Sequence, residues 1–129
     1  MRMEEATGRS AVQEPREHAL IEVEGRLIQI DQDGYLVNVD DWSTAVTEYM
    51  AEADDLELLG DHWLLIDFLH RFYSEYRLAP ELPVLARSLC KDQNNCRWTR
   101  RYIKELFPGG AKTACRYAGL PTPVGRSCG

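Results

Sequence analysis

Apolar positions along the chain change period twice, and those changes divide it into elements. The first eighteen residues carry no run of large apolar side chains and include Gly8 and Pro15, so residues 1–18 read as a disordered leader. From Leu20 the pattern becomes that of short strands. Ile21 and Val23 are followed by Glu24-Gly25 and then by Leu27, Ile28 and Ile30, which predicts a β-hairpin with a two-residue turn. Asp33-Gly34 marks a second turn into Tyr35-Leu36-Val37, so two or three short antiparallel strands are expected.

The period then lengthens to that of a helix. Trp42, Ala45, Val46, Tyr49, Met50 and Ala53 recur at helical spacing, predicting an amphipathic helix over Trp42 to Ala53 with Asp41 as its cap. Asp61 should cap the next helix. There Trp63, Ile66, Leu69, Tyr73 and Tyr76 share a face that Leu65, Phe68 and Phe72 widen, which marks the central, best-buried helix. Pro80 ends it, and Pro83 in a first turn starts a short helix through Val84, Leu85, Leu89 and Cys90. Asn94-Asn95 interrupts the pattern. Arg97 to Leu106 forms a further helix with Trp98, Tyr102, Ile103 and Leu106 inward. Gly109 and Gly110 break the chain again, Ala111 to Ala118 is helical, and Gly119 supplies the stop. Pro121 and Pro123 then favour an extended exit. The fold class is mostly α with a small N-terminal β-hairpin (α+β). It is read as a single compact domain over residues 19–118, with a mobile C-terminal arm over 119–129.

Composition adds little to this picture, but charge changes it. With 129 residues and 44% hydrophobic content the chain suits one modest core. The N-terminus contains acidic residues and no apolar run, so it is no secretory signal. No segment approaches the roughly 18 uncharged residues of a membrane span. A cytoplasmic protein without membrane insertion is expected. The net charge of −6 is unevenly spread: residues 1–81 hold 19 acids and 6 bases, residues 82–129 hold 2 acids and 9 bases. Arg97, Arg100, Arg101, Lys104, Lys112 and Arg116 are therefore candidates for docking an anionic partner.

The same basic helix after a turn also permits an alternative reading, a thiol-gated regulator that binds nucleic acid through a helix-turn-helix-like segment. The acidic total and the lack of polar base-reading residues besides Arg and Lys argue against nucleic acid as the partner.

Four cysteines at positions 90, 96, 115 and 128 offer no zinc-type spacing, and His62 and His70 have no cysteine at a matching offset, so neither metal nor cofactor is expected. Cys90 and Cys96 are close enough in sequence to meet across the Asn-rich turn. Cysteines at the end of one helix and the start of the next are more often small core residues, and that reading is preferred. Cys128 is the penultimate residue of a tail, a poor place for a structural thiol. The nine steps from Gly119 to Cys128 span roughly 30 Å when extended, against a radius of gyration of about 13 to 15 Å for a domain this size. Such an arm reaches into a partner's cleft or folds back on Cys115, closing a ring at a cost on the order of 3 kcal/mol.

Leu106-Phe107-Pro108 with Gly110, Ala114-Cys115-Arg116-Tyr117-Ala118-Gly119-Leu120-Pro121 with Pro123, and the penultimate Cys128 closely resemble the C-terminus of the DsrC/TusE family of sulfur-relay proteins. Asp33-Gly34-Tyr35-Leu36, Trp42, Leu56-Glu57-Leu58, His62-Trp63, Phe68, Arg71-Phe72-Tyr73 and Tyr76 to Pro80 follow the family's order, so the resemblance runs from about Leu20 to Gly129. The chain departs from the family in carrying what looks like an inserted Arg126-Ser127, in Cys90 and Cys96, and in lacking the usual proline near Gly109-Gly110-Ala111.

The resemblance implies a sulfur carrier rather than an autonomous enzyme. Cys128 would hold sulfur as a persulfide, and Cys115 would link to it through a disulfide or trisulfide. Its partners would be a sulfite-reductase-like or sulfurtransferase protein, with a thiol–disulfide reductase as a further candidate. His62 and Trp63 are expected to be structural.

Overall fold

The computed structural model describes residues 19–123. The leader at 1–18, the Arg126-Ser127 insertion and Cys128 lie outside the described residues. Strands β1 (Ala19–Val23) and β2 (Arg26–Ile30) pair antiparallel with Val23 opposite Arg26. Glu24 and Gly25 both take positive φ, 52° and 79°, the mirror-image turn whose twist suits a two-residue hairpin. Val23 and Ile28 face the core while Leu20 and Leu27 face solvent. The expected third strand is reduced to a single bridge between Ile30 and Leu36. The loop between them is built by the Asp31 carboxylate, which accepts from the backbone N–H groups of Asp33 (2.9 Å) and Tyr35 (3.0 Å).

A single 3₁₀ turn at Val39–Asp41 leads into α1 (Thr44–Ala53), which therefore starts two residues later than its apolar period suggests. Trp42 sits outside the helix in extended backbone. The buried stripe of α1 is Val46, Thr47, Met50 and Ala51, rotated away from Tyr49 and Ala53, which are exposed. Helix α2 (Gly60–Tyr76) buries His62, Leu65, Ile66, Phe68 and Leu69 and is central, as its width implied, although Tyr76 at its end is exposed.

Helix α3 (Leu82–Gln93) begins with Pro83 in its first turn and ends at Asn94 in the left-handed conformation. Its buried Leu82, Leu85, Ala86 and Leu89 fall at i, i+3, i+4 and i+7. Leu85 and Leu89 have no exposed surface, and each contributes roughly 2 kcal/mol by leaving water.

Helix α4 (Arg100–Leu106) starts three residues after Arg97 because Thr99 caps it, its hydroxyl accepting from the Tyr102 N–H at 3.1 Å. Helix α5 (Ala111–Tyr117) follows Gly110, whose φ of 76° suits glycine. It packs between α1 and α2. Among the described residues no helix is long and apolar enough to cross a membrane.

The loop between α3 and α4 corrects one expectation. Cys90 and Cys96 are not separate core residues but form a disulfide, with their Cα atoms 4.5 Å apart. The left-handed Asn94 turns the chain back so that the Asn95 N–H donates to the Cys90 carbonyl at 3.0 Å, which brings the two residues within bonding range.

Candidate functional site

Small residues make α5 a core helix despite its place near the chain end. Ala111, Ala114, Cys115 and Ala118 recur at i, i+3, i+4 and i+7 and none has exposed surface. The Cys115 thiol is thus enclosed, and burial pushes it up to about 12. At neutral pH it is a thiol and not a thiolate, so the folded domain holds Cys115 chemically quiet.

Its cover is the Asp31–Leu36 loop. The Tyr35 hydroxyl donates to the Lys112 carbonyl at 3.0 Å, and Tyr35 is raised above the ordinary phenol value first by burial and next by the neighbouring Cys115. Gly34 lies so close to α5 that a Cβ there would stand 3.2 Å from the Arg116 Cδ. The loop thus meets the helix at Lys112 and again one turn on at Arg116.

The helix end is equally constrained. The Gly119 N–H donates to the Arg116 carbonyl at 3.1 Å and the Leu120 N–H to the Cys115 carbonyl at 2.9 Å, which together make a Schellman cap with Gly119 at φ 72°. Two side chains from α1 and the segment before it seize the last carbonyl. The Thr47 hydroxyl donates to the Tyr117 oxygen at 2.6 Å, and the Trp42 Nε1–H reaches both that oxygen (3.1 Å) and the Thr47 Oγ1 (2.9 Å). Gly119 and Leu120 are buried, while Pro121 and Thr122 are exposed. The direction in which the chain leaves the domain is therefore set within a few residues of Cys115.

Further polar ties hold the frame. Arg116 donates to the Asp54 Oδ2 at 2.7 Å and the Tyr117 hydroxyl donates to the same oxygen at 2.8 Å. The Arg116 bond, with that of Tyr117, holds Asp54 below the usual carboxylate range. His62 is buried at the start of α2. Its Nδ1 accepts from the Leu59 N–H at 3.0 Å, which leaves the proton on Nε2 to donate to the Leu106 carbonyl at 2.8 Å. The expectation that His62 is structural fits this bridge between two helix ends. Trp63 is half-buried against the core.

The six basic candidates are not equivalent. Arg97 bonds both Asp61 oxygens at 2.8 Å and lies over the rings of Trp98 and Tyr102. The Tyr102 hydroxyl also donates to Asp61, and these bonds, Tyr102 foremost, lower the carboxyl. Arg97 is thus committed within the fold, as Arg116 is to Asp54. Arg100, Arg101 and Lys104 line one shallow depression on α4 with Thr99 and Glu105, Arg101 lying 3.6 Å from Glu105. Lys112 is exposed on α5, away from that depression. Among the described residues no group of three or more His, Cys, Asp or Glu is arranged to hold a metal ion.

Sequence reasoning missed Trp42, Thr47 and Tyr35 as the clamp and cover of α5. Thr47 lies off the apolar period read for α1, and only the observed phase of the helix buries it, where its hydroxyl then needs a hydrogen-bond partner.

The sequence matches the family described as DsrC like protein over residues 22–128. A protein named Sulfurtransferase TusE from Yersinia pestis is 38% identical over 106 residues, covering 81% of this chain and 97% of its own. Among solved structures, DsrC of Allochromatium vinosum is 42% identical with a TM-score of 0.78, over 85% of this chain and 99% of that one. The oxidized gamma-subunit of the dissimilatory sulfite reductase (DsrC) from Archaeoglobus fulgidus is 33% identical with a TM-score of 0.74, over 84% of this chain and 100% of that one. With a hairpin and five helices among its described residues, matching these solved structures, the chain belongs to the DsrC-like family.

Proposed function

We propose that this protein is a sulfur carrier of a sulfur relay, which holds sulfur as a persulfide on Cys128 and passes it to a sulfite-reductase-like or sulfurtransferase partner. The observation that carries the reading is the contrast between the two C-terminal thiols. Cys115 is sealed at the root of the arm with a pKa raised to about 12, whereas Cys128 lies on the chain that leaves this rigid root. A carrier needs one thiol that travels and one that stays protected until the cargo is to be released.

Release follows by ordinary exchange. Once the cover over α5 opens, the Cys115 thiolate attacks the inner sulfur of the Cys128 persulfide, a Cys115–Cys128 disulfide forms, and the outer sulfur leaves as hydrosulfide. No external oxidant enters this step. A dithiol reductase then returns both thiols. Eight residue steps from Leu120 to Cys128 reach at most about 26 to 29 Å, enough for a partner's cleft and enough to fold back. Arg100, Arg101 and Lys104 form the docking face for an acidic partner surface. The protein acts as a co-substrate of its partners, without resident metal or cofactor, in the cytoplasm.

Incubation with a persulfide donor followed by intact-mass and peptide analysis should find one added sulfur (about 32 Da) on Cys128. A Cys128→Ser chain that loads as well as the parent refutes the reading.

A further inference from the structure

The Cys90–Cys96 disulfide has no part in the carrier chemistry above, yet it stands where chemistry is possible. Cys96 is exposed and Cys90 half-buried, and both line a surface depression with Arg87, Trp98, Thr99 and Arg100. Arg87 and Arg100 are both exposed, and among the described residues neither is held in an ion pair. Neighbouring arginines are paired, Arg97 to Asp61, Arg71 to Asp92 and Arg101 to Glu105. The bridged pair therefore lines a depression that also carries two positive charges outside any ion pair.

We propose that Cys90–Cys96 is a second thiol–disulfide exchange site, whose substrate is a small anionic thiol drawn in by Arg87 and Arg100. The thiolate attacks Sγ of Cys96, the more exposed residue of the two, forming a mixed disulfide, while the Cys90–Cys96 bond breaks and Cys90 leaves with the electron pair as a thiolate. Arg87 precedes Cys90 by three residues on α3 and so neighbours it on the helix surface. Its charge offsets the unfavourable carbonyl end of the helix and improves Cys90 as a leaving group. A second thiolate attacks the small-molecule sulfur of the mixed disulfide and releases Cys96. Two thiols are oxidised to one disulfide, and the protein pair gains two electrons and two protons. Arg87 and Arg100 attract an anionic thiol at encounter and repel a cationic one.

The experiment uses the full chain carrying Cys115→Ser and Cys128→Ser, so that Cys90 and Cys96 are its sole cysteines and loss of the carrier function cannot enter. Protein purified without reductant is mixed at low ionic strength with glutathione, an anionic thiol, or cysteamine, a cationic one. Samples are acid-quenched over time and weighed intact. A transient glutathione adduct on Cys96 and a reduced pair at the end are expected.

Comparing the ratio of the glutathione rate to the cysteamine rate between parent and variant cancels the intrinsic reactivity of each thiol and any change in Cys90 as a leaving group. The ratio should fall about fivefold to tenfold in Arg87→Gln/Arg100→Gln, and by a similar factor for the parent pair at about 0.5 M salt. Both arginines are exposed, so the substitutions leave folding intact, which circular dichroism checks. A ratio unmoved by the substitutions overturns the proposal. So does recovery of Cys90 and Cys96 as free thiols from air-equilibrated protein.

Discussion

In the folded protein at pH 7, Cys115 should react with iodoacetamide about a hundredfold more slowly than an exposed thiol, before any penalty for access. With burial pushing the group up to about 12, the thiolate fraction at pH 7 is on the order of 10⁻⁵. An ordinary cysteine near 8.5 is about 3% thiolate, so the difference in reactive species is roughly 3,000-fold. The more basic thiolate is the better nucleophile, and a Brønsted slope of about 0.45 over those units returns a factor of roughly 40. The net is about a hundredfold, and the absence of exposed surface on Cys115 can only enlarge it.

A Cys128→Ser chain with Cys90 and Cys96 paired isolates the group, with glutathione as the reference thiol. Labelling is followed by intact mass from pH 7 to 10, in buffer and in urea. The native rate should rise about tenfold per pH unit without a plateau, and in urea it should approach the reference. A native rate within tenfold of glutathione at pH 7, or a plateau near pH 9, would refute the claim that burial silences this thiol.

Gly119→Ala places a Cβ 2.6 Å from the Trp42 Cδ1 and 2.9 Å from the Leu36 Cδ1 at φ 72°. Strain and overpacking should together cost about 2 to 4 kcal/mol, read as a fall in Tm of roughly 10 °C; an unchanged Tm contradicts the tight helix end. Thr47→Val keeps the shape but removes the 2.6 Å bond to the Tyr117 carbonyl, leaving the Trp42 indole as its partner. A loss of about 1 to 2 kcal/mol in urea unfolding is expected, and a stability gain would mean that the bond contributes nothing.

Burial lowers His70 below the ordinary imidazole value, with the Ala118 backbone and Asp67 opposing. The unfolded chain is then protonated there first, so this contribution is complete above about pH 6.5 and declines as pH falls through the lower folded value. Asp54 and Asp61 are lowered carboxyls, whose contribution is intact above about pH 3.9 and lost only below it. Urea melts at pH 7.5, 5.5 and 3 should resolve two declines, and His70→Gln should abolish the first alone. Equal stability at pH 7.5 and 5.5 in the parent contradicts the burial of His70.

The hairpin was legible because Glu24-Gly25 is a turn whose chemistry is local, and the same holds for Gly119 as the helix stop. Helix α1 was misphased for the opposite reason. Trp42 continues the apolar period, but its indole N–H is drawn out of the helix by a carbonyl on Tyr117, 75 residues away, and Thr47 is buried at the expense of Tyr49 through that same carbonyl. No local pattern contains such a partner.

The depth of Cys115 was present in the sequence in a muted form. Alanines at positions 111, 114 and 118 form a helical stripe with Cys115, yet small residues between glycines and prolines resemble a solvated chain end. Charge counting identified six cations as candidates to dock, and two of them, Arg97 and Arg116, find carboxylates far off in the sequence, on Asp61 and Asp54. The Cys90–Cys96 bond depended on a left-handed asparagine, a conformation the spacing allows without requiring.

The cap that closes α5 joins two events that need not have been joined. Leu120, the first residue after the glycine, hangs by its amide from the carbonyl of Cys115 itself. On the carrier reading, a partner drawing the tail outward would load that hydrogen bond together with the buried Leu120 side chain. The tug lands on the turn that carries the sealed thiol. Capture of the tail and unsealing of its root would then be one mechanical act. Exchange of the Leu120 amide proton would register the moment at which the latch lets go.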